Sequence, residues 1–368
     1  MKHKIVVDAL PLLSSFTGIG RYTYEVTKQL QKSDAFAIEF FYGYFSSNLI
    51  EASSNPRLKS VKSSIIKNSI VKSIVRKVLF WASGLFSKKY DLYWEPNFIP
   101  LKSIKSERVI ATVHYFSWEL YPEFQPSERV KYFKKNFYKQ IEKVDFIITG
   151  SEFTKQEILN RIGIQDEKIR VIYHGLNHHV FYDCGLEKPE QKYILAVGSL
   201  EPRKNLKNLL LAYEMMDNNF KDTHHLILVG ASGWNNSEIM SKIDQMQKWV
   251  KYSGYVSDEE LAMLYGKASL FIYPSFYEGF GIPPLEAMAC GVPVVCSNSS
   301  SLPEVGGDAV VYCDPYSVEN IKEKIELVLG DKELQKQMIQ KGLERAKMFS
   351  WDKSAMEHMK VFEEVLKN

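Results

Sequence analysis

Two cations stand side by side at Arg203 and Lys204, in the run Gly198-Ser199-Leu200-Glu201-Pro202-Arg203-Lys204-Asn205. An apolar stretch precedes this run and a helical pattern, Leu206–Met216, follows it. Adjacent fixed cations at the end of a strand suit a diphosphate. A diphosphate leaving group gains negative charge as the bond to it breaks, so such cations stabilise the transition state more than the ground state. Taken alone, the pair also reads as a solvated basic loop. A second run, Tyr273-Pro274-Ser275-Phe276-Tyr277-Glu278-Gly279-Phe280-Gly281-Ile282-Pro283-Pro284-Leu285-Glu286, reads as a strand, a glycine-containing loop and a helix that begins at the prolines. Gly279 and Gly281 let backbone amides approach a ligand, and the helix start adds positive partial charge for an anion. Glu278 falls on the loop and Glu286 on the first turns of the helix. Two carboxylates are poor partners for a phosphate, so they read as hydroxyl acceptors, one for a sugar and one for a ribose. A bare turn and helix cap would need separate reasons for each Gly, Pro and Glu.

Two weaker signals lie in the first half. Ser14-Ser15-Phe16-Thr17-Gly18-Ile19-Gly20-Arg21-Tyr22 approaches a dinucleotide fingerprint, but Thr23 stands where the third glycine belongs and no acidic residue ends a second strand. The loop can still bring backbone amides to a phosphate or an acceptor. Thr112-Val113-His114-Tyr115 ends an apolar run, where a histidine either faces a ligand cleft or serves as a hydrogen-bonded structural residue. No Ser/His/Asp set in a sensible order occurs, and no carboxylate cluster calls for a metal.

These residues need rigid elements to hold them. Strand candidates in the first half are 4–7, 37–42, 91–94, 109–113, 146–149 and 171–173. In the second half they are 193–197, 226–229, 270–273, 293–296 and 310–312. Several are continuously apolar, as strands covered on both faces are, and they alternate with helical patterns. The expected class is α/β: two doubly wound Rossmann-like domains facing across a cleft, with ligands at the carboxyl ends of the strands. The aperiodic stretch 181–191 marks the boundary. The expected units are residues 1–185, residues 190–348 and a C-terminal amphipathic helix within 349–368 that packs back toward the first domain.

At 368 residues, 45% hydrophobic and 25% charged, the chain can bury two cores. A net charge of +3 gives no global reason to expect nucleic acid. Cys184, Cys290, Cys296 and Cys313 form no C-x-x-C pair and read as free thiols in a reducing compartment. Asp8 interrupts the N-terminal apolar stretch too early for a signal peptide, and no apolar run is long enough to span a bilayer. The expected location is cytoplasmic. Ala52–Tyr90 holds no Asp or Glu but contains Arg57, Lys59, Lys62, Lys67, Lys72, Arg76, Lys77, Lys88 and Lys89. Within it, 64–86 repeats Ile66, Ile70, Ile74 and Val78 at helical spacing. Such a basic amphipathic helix reads as an anionic-membrane surface element, or else as a packed helix with a solvated basic face.

Read together, the motifs resemble the retaining glycosyltransferases of family 4, and within it the mannosyltransferase B-like group. The resemblance runs through the Gly198–Asn205 segment, Gly230-Ala231-Ser232-Gly233-Trp234, Gly254-Tyr255-Val256-Ser257-Asp258, the Glu278/Glu286 pair, Ser301-Leu302-Pro303-Glu304-Val305 and Phe349-Ser350-Trp351. It is looser in the first half, through Gly18–Thr23, Thr112–His114 and Thr149–Phe153. It implies the GT-B fold and a nucleotide-sugar donor, GDP-mannose by subgroup, with UDP-hexoses or a sugar-nucleotide epimerase as alternatives. Arg203 and Lys204 would hold the diphosphate, with Ser199 in their loop. Glu278 would contact the sugar, and the amides of Gly279, Phe280, Gly281 and Ile282 would lie near sugar and phosphate. Glu286 would bind the ribose, Tyr255 and Val256 would flank the base, His114 would touch the sugar near its reacting carbon, and Gly20 would approach the phosphate. No metal or further cofactor is implied. The implied acceptor is a lipid-diphosphate-linked oligosaccharide of surface-polysaccharide assembly, reached from the inner face of the cytoplasmic membrane. Tyr115 departs from the Asp that related chains often carry after the histidine.

Overall fold

The computed structural model describes residues 2–13, 18–50 and 88–367. Its first half runs β1 (His3–Asp8), α1 (Gly18–Leu30), β2 (Phe36–Phe41), β3 (Phe45–Ser46), β4 (Lys89–Glu95), β5 (Lys105–Val113), α2 (Ser117–Leu120), α3 (Ser127–Ile141), β6 (Phe146–Thr149), α4 (Glu152–Ile162) and β7 (Ile169–Val171). The second half runs β8 (Lys192–Val197), α5 (Leu206–Glu214), α6 (Asn218–Thr223), β9 (His224–Val229), α7 (Ser237–Gln245), β10 (Val250–Tyr252), α8 (Asp258–Lys267), β11 (Leu270–Tyr273), α9 (Ile282–Ala289), β12 (Val294–Ser297), α10 (Leu302–Gly306), β13 (Val311–Cys313), α11 (Val318–Gly330), α12 (Lys332–Ala346) and α13 (Trp351–Lys367). The basic segment 64–86 lies outside the described residues.

Each half forms its own sheet, in the orders β3-β2-β1-β4-β5-β6-β7 and β10-β9-β8-β11-β12-β13. Among the described residues all pairings are parallel except β2 with β3. Alternate residues of one strand enter different cores: Phe146 and Ile148 pack with Ile5, Val7 and Trp94, while Ile147 packs with Val113 and Phe137. β6, β11 and β12 are buried at every residue, which is why their sequences are mostly apolar rather than alternating. Each such side chain contributes about 1.5–3 kcal/mol by leaving water. Strand order reverses between β1 and β4 in one sheet and between β8 and β11 in the other, the kind of position at which open α/β sheets bind ligands.

Three details differ from expectation. No expected run covers the short strands β3 and β10, and β5 begins at Lys105 rather than Val109 because its polar first residues pair with β4. The run expected at 171–173 is the strand Ile169–Val171. Local caps fix the helices that border the cleft. Ser151 accepts from the Thr154 amide at the start of α4, and Ser257 with Glu260 forms a capping box on α8. The last helix, α13, returns to the first sheet: Trp351, Ala355, Val361 and Phe362 share a core with Ile5, Tyr22, Val26 and Trp94. Among the described residues no helix is long and apolar enough to cross a membrane.

Candidate active site

The carboxyl end of β8 leads into a 3-10 turn, Pro202–Lys204, that aims both cations at the loop following β11. The Arg203 Nη1 lies 2.7 Å from Glu278 Oε2, and its Nη2 donates to Glu201 Oε1 at 2.7 Å. The same guanidinium donates to the Tyr277 carbonyl at 2.6 Å. Lys204 Nζ donates to Glu278 Oε1 at 2.7 Å and to the Tyr273 hydroxyl at 2.6 Å. Two cations and two carboxylates thus neutralise one another in a buried cluster, where each charge depends on its partners. Burial alone would raise the Glu278 carboxyl, but Arg203 and then Lys204 override it and hold its pKa at about 2. Burial pushes Lys204 down, against the pull of Glu278. For Arg203 the two carboxylates outweigh burial and push it up. Glu201 and Tyr273 were given no role from the sequence. Glu201 lies two residues before Arg203 in the same run, and that spacing was the available signal.

The loop carrying Glu278 is fixed from both sides. Ser300 Oγ accepts from the Glu278 amide at 2.8 Å, and Ser301 Oγ donates to the carbonyls of Glu278 and Phe280 at 2.9 and 2.8 Å. Gly281 has φ of 126°, outside the range of ordinary side chains, and caps α9 without a side-chain partner. The amides of Ile282 and its neighbours therefore open an eight-residue helix at the glycine turn. Gly279 has a reason in the packing of the domains. A Cβ there would lie 2.0 Å from the His114 carbonyl, so the glycine lets the second domain close against the first. The Phe280 ring is buried against His174, with centroids 4.9 Å apart.

Across the cleft, His114 directly follows β5 and is buried. Its Nε2 is 2.8 Å from the Pro96 carbonyl. A carbonyl only accepts, so Nε2 carries the hydrogen. Burial outweighs that bond and lowers the histidine to about 4, leaving it neutral with Nδ1 as an acceptor. The ring thus has a structural bond through one nitrogen, and it is the carbonyl of His114 that abuts the donor loop at Gly279. Gly20 is buried in the first turn of α1, and the next residue, Arg21, reaches Asp258 at the start of α8 at 2.5 Å. Asp258 follows the loop that holds Tyr255, 63% exposed, and the half-buried Val256. Ser199 is half-buried in the loop after β8.

Glu286, on α9, marks the other end. Tyr265 donates to its Oε2 at 3.1 Å. Burial raises its carboxyl to about 7, with Arg21 and the Tyr265 bond pulling down and Asp258 pushing up. Among the described residues no three His, Cys, Asp or Glu side chains gather to hold a metal. A surface hollow of about 450 Å³ beside Met240, Trp249 and Tyr252 shares no residue with this site.

Residues 16–180 match the family described as Glycosyltransferase Family 4, and residues 185–345 match Glycosyl transferases group 1. An Escherichia coli protein named O-antigen chain mannosyltransferase B is 34% identical over 373 residues, covering 95% of this chain and 96% of that one. The Salmonella typhimurium O-antigen chain mannosyltransferase RfbU is 31% identical over 208 residues, 55% of this chain and 56% of its own. Sucrose-phosphate synthase from Thermosynechococcus elongatus superimposes with a TM-score of 0.74 at 18% identity over 100% of both chains, a likeness of fold alone.

Proposed function

The chain belongs to glycosyltransferase family 4, with the GT-B fold, and from that premise we propose that it moves mannose from GDP-mannose onto a lipid-diphosphate-linked oligosaccharide in bacterial surface-polysaccharide assembly. The observation that carries the donor chemistry is the buried Arg203–Lys204–Glu278 cluster beside the glycine turn at the start of α9. The names of two relatives support mannose and O-antigen. The work would take place at the inner face of the cytoplasmic membrane.

In this reading the donor diphosphate displaces Glu278 from the two cations and takes its place between Arg203 and Lys204. Glu278, freed but still ionised, accepts from sugar hydroxyls. His114 Nδ1, the neutral acceptor, fixes the sugar beside its reacting carbon. Glu286 accepts from the ribose hydroxyls, with Tyr255 and Val256 flanking the base. The amides of Gly20, Phe280, Gly281 and Ile282 face the phosphates and sugar. As the bond to the diphosphate breaks, charge moves onto it and the paired cations bind it more tightly. No metal is required for that neutralisation. The anomeric configuration is retained: the acceptor hydroxyl enters on the face the diphosphate leaves, and the diphosphate takes its proton.

The test is a donor screen on a lipid-linked acceptor in excess chelator, with GDP-mannose against UDP-hexoses. Transfer from GDP-mannose giving an α-linked product by proton NMR is expected. Preference for a UDP-hexose replaces the donor, loss of activity restored by magnesium replaces the metal-free route, and a β product from an α donor refutes retention.

A further inference from the structure

Tyr277 belongs to the second domain, but its side chain is buried in the first. Its hydroxyl accepts from the Phe116 amide at 2.8 Å and donates to Glu157 Oε2. One donor and one acceptor account for the bonding of a tyrosine hydroxyl well. The ring packs against Tyr121 at 5.5 Å and Phe153 at 6.0 Å, and the residue is 3% exposed. Its backbone faces the other way: the Tyr277 carbonyl accepts from Arg203, and the next residue is Glu278. Phe116 lies two residues beyond His114. One residue therefore connects the diphosphate cations, the sugar carboxylate and the histidine segment of the opposite domain.

We propose that Tyr277 is a positioning residue for glycosyl transfer, whose hydroxyl, seated between the Phe116 amide and Glu157, sets the donor loop in register with His114 when the two domains close. The proposal rests on the roles given above to Glu278 and His114. The neighbouring contacts are a bond and a close approach through the loop backbone, Ser151 donating to the Gly279 carbonyl at 2.8 Å and Gly279 abutting the His114 carbonyl, and ring contacts without a directional bond, Phe276 on Phe124 and Phe280 on His174. They hold the loop near the first domain, whereas the Tyr277 hydroxyl fixes the rotation of the chain that bears Glu278. If that bond is lost, the buried amide and carboxylate lose their partner, and the closed state, not the donor-binding half, carries the penalty.

The experiment compares the full chain with Tyr277→Phe, which removes one oxygen and keeps the ring. kcat should fall by roughly ten- to a hundredfold, while nucleotide affinity by calorimetry stays within about twofold of wild type. Small-angle X-ray scattering without ligand should show a larger radius of gyration for the variant, a readout independent of any donor. Glu157→Gln keeps an acceptor and should stay near wild type, whereas Glu157→Ala should behave as Tyr277→Phe does. Wild-type kcat and an unchanged radius in Tyr277→Phe overturn the proposal, as does a loss of nucleotide affinity that matches the loss of kcat. If the wild-type chain transfers no sugar, the failure belongs to the proposed activity, and the scattering comparison still decides whether Tyr277 sets closure.

Discussion

The two ends of the cleft carry the same side chain in opposite states. Glu278 and Glu286 are both buried, on either side of one glycine turn. Glu278 has Arg203 and Lys204 each at 2.7 Å and is held at about 2. Glu286 has a phenol at 3.1 Å and shares Arg21 with Asp258, and burial leaves it at about 7. The paired glutamates of the motif are thus one fixed charge and one that titrates near neutrality. What separates them is the company supplied by other parts of the chain: a strand-end turn in one case and the opposite domain in the other.

Breaking the fixed end should have the largest effect. Lys204→Ala leaves Glu278 with Arg203 and Tyr273, so the fold should survive while transfer falls by roughly 10²–10³, or about 2–4 kcal/mol of barrier. Arg203→Ala should cost as much in rate and also lower the melting temperature, because Glu201 and Glu278 both lose a buried partner. Steady-state kinetics beside thermal melts would separate the two. Near-normal turnover in a folded Lys204→Ala protein would remove the cations from the chemistry.

Acid and base should then pull the two ends apart. Glu278 sits below its ordinary value of 4.5, so its contribution is present above that value and lost as pH falls toward 2. Glu286 sits above its ordinary value. The folded chain therefore holds an extra proton between 4.5 and about 7, and stability falls as pH rises through that window. Each effect is on the order of 3 kcal/mol from the size of the shift. Nucleotide binding should follow the second with reversed sense. If ionised Glu286 accepts from the ribose, affinity should drop about tenfold for each pH unit below 7. Calorimetry from pH 5 to 8 measures it, and flat affinity across that range would take Glu286 out of ribose binding. Glu286→Gln should flatten the profile.

The fixed end was largely legible in the sequence and the titrating end only partly so. Arg203, Lys204, Glu278 and the glycine turn lie in two short runs flanked by apolar strands, so local pattern placed them on the loops where they stand. The parallel sheets were legible for the same reason, since continuous apolar runs such as β6 and β11 can only be covered on both faces. Partners distant in sequence were not legible. Nothing in the local pattern links Arg21 to Asp258 or Tyr277 to Glu157, because these contacts exist only once the domains face each other. β10 escapes because Lys251 interrupts a run of three residues, and the sequence does not show that Gly279 meets the opposite domain, because a close approach between domains looks the same in sequence as one to a ligand.

The smallest expected effect tests the far end directly. Asp258 acts on Glu286 twice, by repelling its charge and by occupying Arg21. Asp258→Asn removes both influences, so the Glu286 carboxyl should ionise more easily and the pH midpoint of nucleotide binding should move down, by about half to one unit. Arg21→Gln removes the attraction and should move the same midpoint up. The other groups facing Glu286, the Tyr265 hydroxyl and Cys290, are unchanged in both proteins, so the opposite signs isolate the Arg21–Asp258 pair. Between pH 8 and pH 6 Asp258→Asn should lose a few-fold less nucleotide affinity than wild type, and Arg21→Gln more. Because Arg21 and Asp258 belong to different domains, Asp258→Asn also removes a partly buried tie worth about 1 kcal/mol to closure. Arg21→Gln removes the same tie, so that loss cannot produce midpoint shifts of opposite sign. A midpoint that shifts the same way in both variants, or in neither, would show that Glu286 titrates under burial alone.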